Sequence, residues 1–263
     1  MPSYYSSTMR LDFGIPLSPG VRRLMVATAG CFLLQNLSGG ALDAFFGLVA
    51  GAALGRLMLW QFATYLFLHA GAMHLLFNMF ALWTFGRDVE GALGTRRFIV
   101  FYFLCGIGAG LCAYAFYPPP TLIMGASGAI FGVMTAFAML YPDRVLTLLI
   151  FFVLPVQMKA KYMVMIFAGI ELLFVITTRQ AGGGIAHFAH LGGALCGYLY
   201  MRWSGLCGGA RAGGGWRPGV FHARVTGDGQ SPDVDEVLDK ISRHGLGSLT
   251  EEEKELLRRA SRR

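Results

Sequence analysis

Six apolar stretches, each ended by charge, proline or glycine, recur along this chain and leave few folds open to it. They run over Leu24–Leu37, Met73–Phe85, Phe98–Phe116, Ser127–Tyr141, Tyr162–Ile176 and Ile185–Tyr200. A helix satisfies its own backbone hydrogen bonds, so segments of this kind belong in a bilayer or in the core of a larger protein. Composition chooses between the two. Of the 263 residues, 55% are hydrophobic and 14% charged, too apolar for a water-soluble domain of that size. The predicted fold class is all-α and polytopic, a bundle of six transmembrane helices within residues 24–203.

Basic residues orient the bundle. Arg10, Arg22, Arg23, Arg87, Arg96, Arg97, Arg144, Lys159, Lys161 and Arg202 fall on one side of the predicted spans, and only Arg56 and Arg179 on the other. The positive-inside rule then puts both termini of a multi-pass cell-membrane protein in the cytoplasm, which requires an even number of crossings. The same arrangement accounts for the net charge of +7 without nucleic acid, leaving the lipid bilayer as the surface it serves. Residues 1–23 read as a polar cytosolic segment lacking the apolar block of a secretory signal, so no processing is expected. Residues 38–72, Gly-rich with Phe, Trp and Tyr, suit an interfacial loop carrying short helices. The polar run Gly86–Arg97 is predicted to close the second span as a cytoplasmic turn. Residues 145–157 are apolar but too short to cross, and are predicted to be re-entrant or interfacial. Beyond the bundle, 204–232 read as a flexible linker and 233–263 as a small cytosolic helical hairpin. In that hairpin Val234, Val237, Leu238 and Ile241 recur at helical spacing, Thr250–Glu253 looks like a capping box, and Leu256 and Leu257 follow. Five cysteines, Cys31, Cys105, Cys112, Cys196 and Cys207, lie mostly within apolar stretches and are expected to pack rather than pair.

Besides Glu171 inside the fifth span and Gln35 and Asn36 at the end of the first, four unusual polar side chains sit in or beside the spans, where their cost makes a functional site the default hypothesis: His74, Asn78, Ser127 and His190. Taken alone, each also fits an interhelical hydrogen bond, and Ser127 fits a helix cap. Their depth sets them apart. At about 1.5 Å per residue, Ser127 lies roughly 21 Å above Tyr141, His190 roughly 18 Å above Arg202 and His74 roughly 20 Å above Arg87, with Asn78 about a turn deeper. Three helices thus deliver a hydroxyl, two imidazoles and a carboxamide to nearly one layer.

That set suits acyl transfer. An imidazole must take the serine proton before the hydroxyl becomes a useful nucleophile, and His190 can serve Ser127 as that base. The developing oxyanion needs donors, which the Ser127 N–H at a helix start and the side chains of Asn78 and His74 can supply. No Asp or Glu is placed at that depth, so a dyad is expected, with Phe131, one turn past Ser127, as the ring that orients the histidine. Gly193 and Gly197 follow His190 at i+3 and i+7, a small-residue pattern that lets the sixth helix lie close to the fourth. His187 precedes His190 by one turn and sits nearer the outer surface, so His190 is the preferred partner.

From about Trp60 to Tyr198 the chain resembles the rhomboid intramembrane serine proteases of bacterial type. The resemblance rests on His74-Leu75-Leu76-Phe77-Asn78, Glu90 with Gly94, Gly125-Ala126-Ser127-Gly128, and Ala189-His190-Leu191-Gly192-Gly193 with Gly197, in that order. It implies Ser127 as nucleophile, His190 as base, and Asn78 and His74 on the oxyanion side, with Gly125 and Gly128 flanking the serine. It implies a six-helix core and single-span membrane proteins as substrates, and it makes His69 a structural histidine. Trp60-Gln61 stands where the family often has Trp-Arg, and Phe131 where some members have Tyr.

No cofactor is expected. A metal site built from His69, His74, His187 and His190 would lack a His-Glu-x-x-His helix, and no carboxylate is read near those histidines, so no metal is expected either. The remaining alternative is a non-catalytic rhomboid-like protein that binds membrane clients. Such relatives usually lose the serine or the histidine, and this chain has both.

Overall fold

Apolar composition and good helix formers give long helices, and the breaks fall at Gly and Pro, where a helix cannot continue unaided. The computed structural model describes residues 17–150, 154–178 and 187–206, and, in a separate unit, residues 237, 240 and 249–254. In chain order the helices are α1 (Pro19–Leu37), the short α2 (Ala41–Phe46) and α3 (Gln61–Thr64), α4 (Ala72–Leu93), α5 (Thr95–Phe116), α6 (Ser127–Leu140), α7 (Ala160–Thr178) and α8 (His187–Trp203). By length and composition α5 and the Ala160–Thr177 stretch of α7 are each apolar enough to cross a membrane. The segment Gln61–Phe67 and α4, bent by 97°, would make a third span.

The helix of the second predicted span does not end at Phe85. Helix α4 runs on through Gly86-Arg87-Asp88-Val89-Glu90 to Leu93, so the predicted polar turn is helical over most of its length. The reason is Glu90, which turns inward and is 3% exposed. Its carboxylate accepts from Ser18 Oγ at 2.5 Å, the Gly20 and Val21 amides at 2.8 and 2.9 Å, and Thr95 Oγ1 at 2.6 Å. It thereby caps α1, whose first amides have no partner in their own helix and present the positive end of the dipole. Gly94, at φ 78°, then separates α4 from α5.

The described residues of the 145–157 segment are strands rather than helix. Val145–Ile150 (β3) pairs antiparallel with Leu154–Lys159 (β4), from Val145 opposite Lys159 to Ile150 opposite Leu154. Pro142 stops α6, and Pro155 denies this segment a helix while being tolerated in a strand with an unpaired edge. The hairpin base is tied down by the Ala160 amide donating to the Arg144 carbonyl at 2.9 Å and by Lys159 and Lys161 pairing with Asp143.

The segment 38–72 holds the chain that leads into α6. Its strand Leu48–Val49 (β1) pairs with Leu122–Ile123 (β2), the Ala50 amide donates to Thr121 O at 2.8 Å, and the Gly125 amide donates to Tyr65 O at 3.0 Å. Tyr65 is itself anchored, donating its hydroxyl to Gly106 O of α5 at 2.7 Å. At the position where the resembled family often has Arg, Gln61 is fully buried. It accepts from the Val49 amide and donates to Phe45 O, which also accepts from Trp60 Nε1 at 2.9 Å.

Helices α5, α6 and α8 form the centre, and small residues set their spacing. A Cβ on Gly193 would collide with the Gly128 carbonyl, and one on Gly197 would come within 2.6 Å of the Gly132 carbonyl. Cys105 packs on Gly132 and Cys112 on Gly192, and Cys31, Cys105, Cys112 and Cys196 are free thiols.

In the second unit Thr250 and Glu253 form the capping box: the Thr250 amide donates to Glu253 Oε2 at 2.7 Å, and the Glu253 amide donates to Thr250 Oγ1 at 3.3 Å. Lys240 pairs with Glu253 at 2.8 Å, and Val237 and Leu249 are buried. The expectations for residues 1–16, for 207–232 with Cys207, and for Val234, Leu238, Ile241, Leu256 and Leu257 lie outside the described residues, as do Arg179, Ile185 and Ala186.

Candidate active site

Ser127 opens α6 as its first helical residue. The cap position falls on Ala126, no side chain caps the helix, and the serine hydroxyl is directed elsewhere. Its Oγ lies 2.8 Å from Nε2 of His190 on α8. That distance is reached because the α6–α8 contact is glycine on glycine. The next residues, Gly128 and Ala129, share with Ser127 the unpaired amides of a helix start.

Across the cleft, α4 presents His74 and Asn78. The Asn78 amide donates to His74 O, one turn back, at 2.9 Å, and its NH2 group carries a second hydrogen. Gly125 brings the chain over the His74 ring: at φ 131° it has a backbone few other residues adopt, and a Cβ there would meet the ring carbon Cε1 at 2.7 Å. Buried His69 packs against the His74 ring, centroids 5.0 Å apart and planes at 63°. Ser127, His190, His74, Asn78, Gly125 and Phe131 all line one open cleft of about 460 Å³. Phe131 lies flat on the His190 ring, centroids 4.4 Å apart and planes 5° from parallel.

One expectation is overturned. A carboxylate does reach this layer: Glu171 of α7 lies with Oε1 2.9 Å from His190 Nδ1, and its Oε2 pairs with His187 Nδ1. His187 is therefore a partner of Glu171 rather than of Ser127. Helix counting held the signal. Glu171 is ten residues past Lys161, roughly 15 Å at about 1.5 Å per residue, against roughly 18 Å for His190 above Arg202. Two of the four histidines, His187 and His190, therefore do have a carboxylate beside them. The donor atoms of Glu171, His187 and His190 sit within 4.8 Å of one another, close enough that these three could hold a cation. His69 and His74 lie apart from that group, so the four-histidine site is not assembled.

A sequence profile of the rhomboid domain matches residues 56–205, more than half of the chain. The chain belongs to the rhomboid family. A profile of a family of unknown function, DUF6576, matches residues 230–263. Rhomboid protease GluP of Bacillus subtilis is 29% identical over 183 residues, 66% of this chain and 32% of GluP. The putative rhomboid protease YdcA of the same organism is 39% identical over 90 residues, 34% of this chain and 44% of its own. Rhomboid protein 1 of Saccharomyces cerevisiae mitochondria is 33% identical over 145 residues, 51% of this chain and 38% of its own. The chain thus spans less than half the length of each of these three relatives. Rhomboids are generally serine intramembrane proteases, and this chain is a mostly helical, multi-pass membrane protein.

Proposed function

We propose that this rhomboid is an intramembrane serine endopeptidase that cuts single-span membrane proteins, with Ser127 as nucleophile and His190 as base. The observation that carries the reading is the 2.8 Å approach of Ser127 Oγ to His190 Nε2 inside an open cleft. His190 takes the hydroxyl proton as Ser127 Oγ attacks the scissile carbonyl carbon, and the C=O electrons become an oxyanion. The amide of Ser127 and the side chains of Asn78 and His74 receive that charge, with Gly125 and Gly128 keeping the space around it clear. His190 then returns the proton to the leaving nitrogen and the C–N bond breaks. In the second half His190 deprotonates water, which attacks the acyl ester and releases Ser127 with its proton restored.

In this reading the six long helices cross the membrane, both termini are cytoplasmic in the cell membrane, and the cleft opens outward. Residues 1–23 and 233–263 are then cytosolic, joined to the 24–203 bundle directly and through 204–232. No metal step is part of it. The test is cleavage of a single-span substrate in proteoliposomes by wild type, Ser127→Ala and His190→Ala, with and without chelator. Wild type should cut regardless of chelator and both variants should be silent. A Ser127→Ala protein that keeps a cellular function would favour the client-binding alternative.

A further inference from the structure

Resting on the protease reading, we infer that Glu171 is a positioning residue that makes the dyad a triad, and that His187 holds Glu171 in place. The carboxylate fixes the tautomer. An ionised carboxylate only accepts, so the short contact to His190 Nδ1 places the hydrogen on Nδ1 and leaves Nε2 as a bare acceptor facing the Ser127 hydroxyl. This is the form a base must have before it can act, and when Nε2 gains the serine proton the resulting cation has its counter-charge 2.9 Å away. The Nδ1 hydrogen stays on the ring throughout.

The supporting shell is built on both sides. Glu171 Oε2 is engaged by His187 Nδ1, so each carboxylate oxygen has an imidazole and the group is held against swinging away. The His187 ring lies flat on Phe174 of α7, centroids 4.8 Å apart and planes 12° from parallel, just as His190 lies on Phe131 of α6. Only 12% of the Glu171 side chain, 14% of His190 and 19% of His187 remain exposed. A carboxylate in an apolar helix carries a large cost, and a tie between α7 and α8 could meet that cost through His187 alone. Reaching the one imidazole whose other nitrogen meets Ser127 is what a catalytic orientation requires.

The experiment uses the full chain in proteoliposomes with wild type, Ser127→Ala, Glu171→Gln, Glu171→Asp and His187→Phe. Glu171→Gln should lower kcat by about a hundredfold or more, since an amide can donate to Nδ1 and favour the wrong tautomer, while KM stays within about threefold. Glu171→Asp should recover at least about tenfold of that loss, and His187→Phe should lower kcat by a smaller factor than Glu171→Gln. A Glu171→Gln protein with kcat within about threefold of wild type and a lowered melting temperature overturns the inference, leaving Glu171 as a structural tie. Should that variant fail to fold, 15N NMR of the wild-type His190 ring decides: a hydrogen on Nδ1 and a bare Nε2 support the inference, and the opposite tautomer overturns it. Failure of wild type to cut, or cutting by Ser127→Ala, would count against the protease reading itself, whereas a cutting wild type with an unaffected Glu171→Gln kcat would count against the role of Glu171 alone.

Discussion

At the scale of single residues, the imidazole of His190 is fixed on three sides, by Ser127, Glu171 and the face of Phe131. A stacked ring pair of this kind is worth about 0.5–1.5 kcal/mol, so Phe131→Ala should reduce kcat by about two- to tenfold while Phe131→Tyr stays near wild type. Steady-state kinetics on both variants check this, and an unchanged Phe131→Ala would remove the ring from the account. Ser127, His190, His74 and Asn78 could be picked out from the sequence because polar groups in apolar stretches are few and their heights can be counted. Glu171 falls at nearly the same counted height, but a single carboxylate in the fifth span has no sequence neighbour to announce its partner. Its role depends on α7 lying beside α8, which is a tertiary fact.

At the scale of elements, glycine sets the α6–α8 distance and with it the serine-to-histidine reach. Gly193→Ala puts a methyl into the Gly128 carbonyl and should cost about 1–3 kcal/mol, lowering the melting temperature in detergent and abolishing cleavage together. Retained cleavage would mean that the helices can part without loss. The segment between α3 and α4 carries a separate weakness. His69 is 1% exposed, and burial, reinforced by the neighbouring His74, pushes its pKa down from 6.5 to about 4. It is therefore neutral in the fold while the unfolded chain takes up a proton first on acidification. The associated stability is intact above pH 6.5 and is lost as pH falls toward about 4, on the order of 2 kcal/mol by pH 5. Melting temperatures from pH 7.5 to 5 should fall more steeply for wild type than for His69→Phe, and parallel slopes would contradict this. Helix boundaries were the less legible part. Asp88 and Glu90 look like a turn until Glu90 is seen capping α1 from another helix, and the apolar stretches 145–150 and 154–159 hide a strand pair because alternation is invisible where both faces are greasy.

At the scale of the whole molecule, a bundle tight at its glycine contacts surrounds a cleft lined by residues of α4, α6 and α8, with Glu171 of α7 reaching His190 from behind, so no single element makes the candidate site. Membership of the rhomboid family and the outline of the bundle follow from motifs spread over three helices, α4, α6 and α8, which is why they could be read before any contact was known. The central claim is that Ser127 is a nucleophile activated by His190, and the most direct measurement is mass spectrometry of the full chain after reaction with a fluorophosphonate. A single adduct on Ser127 in the wild type, lost in the folded His190→Ala protein, is the predicted result. An adduct on another residue, or equal labelling of Ser127 without His190, would contradict it.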